Sequence, residues 1–126
     1  MKLDQDLVRE ILLAIEASKN DPKEGIDLVL KNRSSRAISY HVLLLTEAGF
    51  ILSRDAFLTH NTSLWQPTRL TYKGHEFLDT VRDEEIWRRT KTGAEKAGGA
   101  GLGLLLELGK AYGKQVLEDR LAIKLP

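Results

Sequence analysis

The segment from Ser35 to Leu52 carries an arginine, a serine and a tyrosine at a spacing that suits contact with nucleic acid. If Ile38, Val42 and Leu45 face a core, the opposite side of that helix faces outward, because positions three and four apart share a face. Arginine can donate hydrogen bonds to guanine, and tyrosine can donate one to a phosphate. The segment therefore predicts base-edge and phosphate contacts from Arg36, Ser39 and Tyr40.

Polar side chains farther along the chain extend this candidate DNA-binding surface. The residues that follow the helix form two strand-like runs, each with an arginine, and the polar sequence HNTS lies between them. Such side chains reach phosphates or the minor groove in DNA-binding proteins. The residues expected to make these contacts are Arg54, His60, Asn61 and Arg69.

The same helix also has features of a protein-binding surface. Specific DNA binders usually add several phosphate contacts from Lys and Arg, whereas residues 34–52 supply Arg36 alone. We expect Leu43 to be exposed, and an exposed leucine suits a protein partner better than a DNA groove. Double-stranded DNA and a protein partner therefore remain open alternatives.

Three histidines are the remaining candidates for metal or acid–base chemistry. His75 and Asp79 lie four residues apart and could form half of a metal site, but the second histidine of the zinc-protease pattern is missing. A hydrogen-bonded structural role is the simpler interpretation of His41. The chain also lacks cysteine, a nucleophile elbow and a phosphate loop. It is therefore predicted not to be an enzyme, and to bind no metal and no small-molecule cofactor.

Composition and charge narrow the class of protein further. The 126 residues are 42% hydrophobic and 29% charged, which suits one globular unit with appendages. Nineteen Lys and Arg oppose eighteen Asp and Glu, so DNA binding would depend on a local patch. The N-terminal residues are too acidic for a signal peptide, and no apolar run approaches the roughly 20 residues of a membrane span. A cytoplasmic protein without membrane contact is expected.

Hydrophobic spacing and capping residues predict the elements that would position the candidate side chains. Apolar residues at helical spacing predict a first helix within residues 3–20. A short β-favouring run predicts a strand at 26–30. The second helix is predicted to begin after a cap at Ser34 or Ser35 and to end at Gly49.

The second half of the chain is predicted to contain a hairpin and three further helices. Strands at 50–54 and 67–72 are expected to flank a long, polar hairpin tip. Thr71 can cap the next helix, and Asp83 can cap another after a break in the apolar spacing. Helical spacing resumes at 102–121.

The order helix, short strand, helix, hairpin, helix is that of a winged-helix domain. The segments SSRAISYHVLLLTEAGFIL and TRLTYKGHEFL resemble the dimer-forming bacterial winged-helix repressors, whose recognition helix ends in an alanine-glycine-hydrophobic turn. The segments DLVREILLAIE, ISYHVLLLTEAGF, PTRLTYKGHEFLDTVRDEEIW and KAGG resemble uncharacterised bacterial and phage-borne proteins grouped as a domain of unknown function, over roughly residues 3–121. The likeness to the repressors and the order of elements imply a DNA-binding transcription regulator. The likeness to the uncharacterised family implies a bacterial or phage origin and carries no activity over. The alternative is a winged-helix interaction module that binds a host or defence protein.

One departure from the repressor pattern concerns the residues between the first two helices. Winged-helix repressors have a full helix there, whereas residues 21–34 show little helical spacing. The three-helix core of the repressors is therefore expected to be incomplete in this chain.

The resulting fold prediction is α+β and mostly helical. It comprises a winged-helix-like domain at 1–92, a glycine-rich hinge at 93–101, and a C-terminal helix and tail at 102–126. Gly109 and Gly113 are four residues apart, and small residues at this spacing allow helices to approach closely. A homo-oligomer or another protein partner is therefore expected. The predicted interface residues are Leu43, Leu105, Leu108 and Tyr112.

Overall fold

The computed structural model describes residues 1–21, 23–57, 63–99 and 101–125. These residues form five helices and a two-stranded antiparallel sheet. The elements are α1 Gln5–Ala17, α2 Ser35–Glu47, β1 Ile51–Phe57, β2 Ser63–Leu70, α3 Tyr72–Val81, α4 Glu84–Lys96 and α5 Leu102–Leu121. The predicted α+β, mostly helical class is confirmed. The chain divides into two compact units, Met1–His75 (unit 1) and Glu76–Pro126 (unit 2).

Helix α1 begins at a side-chain cap and buries one face. Asp4 accepts the backbone N–H of Leu7 at 3.1 Å, and Asp6 stands in the first turn, where the helix dipole favours negative charge. The buried side chains recur at helical spacing: Leu7, Val8, Ile11, Leu12 and Ile15. The first predicted helix is confirmed within its predicted bounds.

The described residues between α1 and α2 form neither helix nor strand, so the strand predicted at 26–30 is wrong. Ile26 donates its backbone N–H to the carbonyl oxygen of Pro67 in β2 at 2.8 Å. Proline has no N–H to donate in return, so a ladder of paired hydrogen bonds cannot grow from this contact. The apolar residues after Ile26 therefore run beside β2 as irregular chain.

Helix α2 begins and ends through local hydrogen bonds. The side chain of Ser34 caps its start by accepting the backbone N–H of Ala37 at 3.1 Å. At its end Gly49 has a φ of 84°, and Phe50 donates its N–H to the carbonyl oxygen of Leu45 at 2.9 Å. This arrangement is a Schellman motif, which favours glycine at the left-handed residue. The second predicted helix is confirmed.

Both strands of the predicted hairpin are present, and both are longer than expected. Strand β1 continues to Phe57 and β2 begins at Ser63, so the prediction of a long tip is wrong at both ends. Asp55, which has a weak preference for strands, pairs with Trp65 across the sheet. Pairing with a neighbouring strand outweighs the preference of a single residue here.

Helix α3 begins at the side chain of Thr71, as predicted. The Thr71 hydroxyl accepts the backbone N–H of Gly74 at 3.1 Å and donates to the carbonyl oxygen of Gly49 at 2.5 Å. The N–H of Thr71 also donates to the carbonyl oxygen of Phe50 at 3.0 Å. These bonds tie the start of α3 to the end of α2 within unit 1.

Helix α4 is separated from α3 by the predicted break. Asp83 caps α4 by accepting the N–H groups of Glu85 and Ile86 at 2.9 and 3.1 Å. The helix continues to Lys96, so the first residues of the predicted glycine-rich hinge are helical.

The residues after α4 end the helix through backbone hydrogen bonds. The N–H of Gly98 donates to Glu95 at 3.0 Å, and the N–H of Gly99 donates to Ala94 at 2.8 Å. This is a second Schellman motif, because both bonds reach back to carbonyl groups of the last turn. Hinge motion in this segment stays a prediction.

Helix α5 packs closely within unit 2 through the two glycines singled out in the sequence. A β-carbon at Gly109 would lie 3.1 Å from Thr80 and 3.2 Å from Val81. A β-carbon at Gly113 would lie 3.6 Å from Thr80. The small residues therefore serve close packing inside one chain, a role that their spacing alone does not distinguish from dimerisation.

Candidate nucleic-acid interface

A buried histidine joins α2 to the start of α1. His41 accepts the backbone N–H of Asp4 on Nε2 at 2.8 Å, and its Nδ1 lies 2.8 Å from the carbonyl oxygen of Ala37. Because Nε2 accepts a hydrogen bond, the neutral ring carries its hydrogen on Nδ1 and donates it to Ala37. The predicted structural, hydrogen-bonded role of His41 is confirmed.

An arginine fastens the loop before α2 to α1. Arg33 Nη1 lies 2.5 Å from Asp4 Oδ2, and Arg33 Nε lies 3.0 Å from Glu10 Oε2. Burial raises the pKa of Asp4, but hydrogen bonds from the Leu7 amide and Arg33 outweigh burial and lower the pKa overall. These ion pairs tie the loop before α2 to α1. No local sequence pattern predicts these ion pairs, because they join residues far apart in the chain.

The solvent-facing side of α2 presents Arg36 and Tyr40 one turn apart, as predicted. The rings of Tyr40 and His41 meet edge to face, with their centroids 5.9 Å apart. Within the described residues, Arg36 has no ion-pair partner and the Tyr40 hydroxyl has no hydrogen-bond partner. Both side chains are therefore free to contact a ligand.

Ser39 faces inward, so the prediction that it lies on the outward side of α2 is wrong. Its side chain is buried, and its hydroxyl accepts the backbone N–H of Trp65 at 2.9 Å. The physical reason is that no third strand pairs with this edge of β2 among the described residues, so the serine hydroxyl supplies the acceptor that a neighbouring strand would offer. Ser39 thus positions α2 against the hairpin.

Leu43 is half-buried, so part of its side chain reaches solvent. The residues expected to form the inner face, Ile38, Val42 and Leu45, are buried as predicted. The helix phase that underlies the proposed sites is therefore confirmed at these three positions.

The hairpin carries two exposed arginines, one on each strand, within unit 1. Arg54 donates from Nε and Nη2 to Gln66 Oε1 at 3.3 and 3.2 Å, and the Gln66 amide donates to Asp27. Arg69 donates from Nη1 to the carbonyl oxygen of Leu70 at 2.9 Å. Each guanidinium keeps donors that no hydrogen bond among the described residues uses. The predicted tip residues that lie outside the described residues are His60 and Asn61.

The predicted interface residues of α5 differ in exposure. Leu105 is fully buried, so the expectation that it is available to a partner is wrong for the folded chain. The reason is that Leu105 lies one turn from Gly109, on the face of α5 that packs inside unit 2. Leu108 and Tyr112 are half-buried and keep part of their surface open to solvent.

His75 of α3, which with Asp79 is the candidate half-site for a metal, is exposed. It lines a pocket of about 170 Å³ together with Glu16, Ser18 and Asn20. No group of three His, Asp or Glu able to hold a metal ion occurs in the described ranges. Nor do those ranges contain a helix long and apolar enough to cross a membrane.

The fold and the candidate site define a mixed α+β protein in which a capped, partly polar helix is followed directly by a β-hairpin. The chain belongs to the family described as Hypothetical protein (DUF2513), which matches residues 2–100. It is similar to an uncharacterized protein of Haemophilus influenzae, with 35% identity over 92 residues. That similarity covers 73% of this chain and 77% of the relative. No solved structure matches the chain.

Proposed function

We propose that this protein is a DNA-binding transcription regulator and that unit 1 acts as its winged-helix domain. The order α1, α2, β1, β2, α3 supports the proposal, because a winged helix has a recognition helix followed by a hairpin. The observation that carries the proposal is the outward face of α2, where the exposed Arg36 and Tyr40 have no polar partner in the described residues.

The two side chains on α2 have complementary roles in this proposal. With α2 in a major groove, the Arg36 guanidinium donates two hydrogen bonds to a guanine, and Tyr40 donates one to a phosphate. The edge-to-face contact with His41 limits the orientations of the Tyr40 ring. Ser39 makes no base contact, because its hydroxyl is committed to Trp65.

The hairpin supplies phosphate contacts through Arg54 and Arg69. The Gln66 side chain holds the Arg54 guanidinium in position. The remaining N–H donors of both arginines are available to phosphate oxygens of the DNA backbone. With Arg36, each copy brings about three cations to the DNA. Release of counterions then gives log K a slope of about −3 against log salt concentration.

Fluorescence anisotropy with a labelled mixed-sequence duplex tests the proposal. At ~50 mM salt we expect binding in the micromolar range, which is typical of non-specific contacts to phosphates. Raising the salt to ~200 mM should weaken binding roughly 40-fold, because each of the three cations contributes about −0.9 to the slope. Absence of binding at the lower salt concentration, or an affinity that does not change with salt concentration, would overturn the proposal.

Variants of the full chain assign the interface. Arg36→Ala should weaken DNA binding and reduce the magnitude of the salt slope by about 1. Tyr40→Phe should weaken binding with little change in slope, because it removes an uncharged donor. Lys19→Ala is the matched control, since Lys19 is an exposed cation of unit 1 that makes none of the proposed contacts. Unfolding curves of all three variants should match that of the wild type.

A second candidate function is a winged-helix interaction module that binds another protein and not DNA. The observation that favours it is Val29, which is 92% exposed and lines a groove of about 340 Å³. The groove also contains Leu28, Leu64 and Trp65. Large exposed apolar side chains beside a groove are typical of protein-binding surfaces.

Two substitutions distinguish the candidates. Val29→Asp should abolish partner capture in a pull-down without loss of fold, because the side chain is exposed. Leu43→Lys should leave DNA affinity equal or better if DNA is the ligand, since it adds a cation. The same substitution should weaken capture of a protein partner, because it introduces an unpaired charge into a buried contact.

A further inference from the structure

The second half of α4 and one side chain of α5 form a cationic pocket in unit 2. The pocket has a volume of about 340 Å³ and is lined by Arg88, Arg89, Thr92, Lys96 and Tyr112. We propose that this α4 pocket binds a phosphate group. The proposal goes beyond DNA binding by unit 1 and does not depend on the side chains of α2.

Two of the three cations of the α4 pocket have no ion-pair partner among the described residues. Arg88 and Lys96 lie two turns apart on one face of α4, and neither forms an ion pair within the described residues. Arg89 is held by Glu85, with Nη2 2.8 Å from the carboxylate oxygen. None of the lining residues is acidic. Two uncompensated positive charges therefore face one pocket, and an anion between them would relieve their repulsion.

A glycine shapes one wall of the α4 pocket. A β-carbon at Gly93 would lie 2.7 Å from the Tyr112 hydroxyl oxygen and 2.9 Å from the ring carbon Cε2. A side chain at residue 93 would therefore displace the tyrosine ring from its present position against α4. Glycine inside a helix costs about 1 kcal/mol relative to alanine, so its presence here is explained by this contact.

The hydrogen-bonding groups of the α4 pocket are mainly donors. The Tyr112 hydroxyl donates to no described residue, whereas the Thr92 hydroxyl donates to the carbonyl oxygen of Arg88 at 3.0 Å. Arginine, lysine and phenol groups thus converge with unused N–H and O–H donors. A phosphate offers more than one negative charge and several acceptor oxygens, which matches this set better than a carboxylate does.

The end of α4 does not oppose an anion in the pocket. The last carbonyl groups of the helix accept hydrogen bonds from Gly98 and Gly99, at 3.0 and 2.8 Å. These hydrogen bonds partly neutralise the negative end of the helix dipole, and Lys96 adds a positive charge in the same turn. The end of the helix therefore does not repel an anion.

Nuclear magnetic resonance of the full chain, titrated with inorganic phosphate at low ionic strength, tests the proposal. We expect saturable shifts confined to the 88–96 amides and Tyr112, with a Kd of about 1 mM, whereas chloride at equal ionic strength should produce none. Arg88→Gln combined with Lys96→Gln should weaken phosphate binding at least about tenfold, because it removes both uncompensated charges. Tyr112→Phe should weaken it several-fold while keeping the ring in place. Lys114→Gln, at an exposed position of α5, is the matched control and should leave binding unchanged.

Two further ligands identify the source of the phosphate group. A 5′-mononucleotide that displaces inorganic phosphate from the α4 pocket supports a small phosphorylated ligand, and a short duplex that does so supports a nucleic-acid backbone. Arg36→Ala should leave the phosphate shifts intact, so failure of DNA binding by α2 is distinguishable from failure of the pocket. Shifts that do not saturate, or that persist unchanged in the double variant, would overturn the proposal.

Discussion

Gly74 lies so close to Phe50 that a β-carbon at residue 74 would be 1.9 Å from the carbonyl oxygen of residue 50. The first turn of α3 therefore presses directly on the backbone that ends α2. The Thr71 N–H donates to that same carbonyl oxygen at 3.0 Å, which holds the two segments together. The glycine in the sequence TYKGHEF is thus required by a backbone contact within unit 1.

Gly74→Ala should lower the free energy of unfolding by about 3 kcal/mol or more. The added methyl group overlaps backbone atoms, which cannot move aside as a flexible side chain would. Urea unfolding followed by circular dichroism measures the change.

Gly103→Ala is the matched control for this substitution. A β-carbon at Gly103, near the start of α5, meets nothing within 4 Å. The same chemical change should therefore stabilise the protein by about 0.5–1 kcal/mol, because alanine favours helix more than glycine does. Equal effects at both positions would contradict the contact seen at Gly74.

Ser39→Ala should destabilise the protein without a direct loss of base contacts. The substitution leaves the partly buried Trp65 N–H without its acceptor, which should cost about 1 kcal/mol, the lower end of the range for a fully buried donor. Ser35→Ala is the control, because Ser35 is exposed on the same helix and should change stability by less than about 0.5 kcal/mol. Thermal melts compare the two variants. Unchanged stability together with altered DNA specificity in Ser39→Ala would contradict the inward position of Ser39 and indicate that its side chain contacts DNA.

Leu105→Ala should destabilise the monomer by about 2–5 kcal/mol, as expected when a fully buried leucine is truncated. Its neighbour Leu104 is 45% exposed, so Leu104→Ala should change stability by less than about 0.5 kcal/mol. Chemical unfolding at several protein concentrations separates core packing from self-association. If Leu105→Ala shifted only the concentration dependence, the leucine would belong to an interface between copies.

Acid should weaken the link between α4 and the end of α5. The hydrogen bond from Arg120 is the largest of the effects that lower the pKa of Asp83 to about 2, from its ordinary value of 3.8. Because the folded-state pKa is lowered, the stabilisation is fully present well above pH 3.8 and is lost as the pH falls towards about 2. Arg120 Nη1 lies 2.7 Å from Asp83 Oδ2.

Arg120→Gln removes the main cause of this pKa shift. We expect the variant to melt at a lower temperature than the wild type at neutral pH, and the difference to shrink as the pH falls from 3.8 towards 2. Lys114→Gln, which removes an exposed cation from the same helix, controls for the general loss of positive charge. A constant difference across this range would exclude Asp83 as the responsible group.

The helix ends of this protein could be predicted from sequence because they depend on neighbours in the chain. Ser34, Thr71 and Asp83 each accept a backbone N–H two or three residues ahead. Gly49 takes up the left-handed conformation at the end of α2 for an equally local reason. Local hydrogen bonds and apolar spacing therefore determined the helix order and the inner face of α2.

Only the tertiary structure decided which polar and small residues make contacts within the folded chain and which stay exposed to solvent. Ser39 turns inward because an edge strand distant in sequence needs an acceptor, and 26–30 stays irregular because Pro67 has no N–H to offer. The spacing of Gly109 is equally compatible with packing against a second copy and with packing inside one chain. The second arrangement occurs because Thr80 and Val81 lie against this glycine. Each of these outcomes depends on groups that are brought together by folding, and spacing along one helix or strand does not specify such partners.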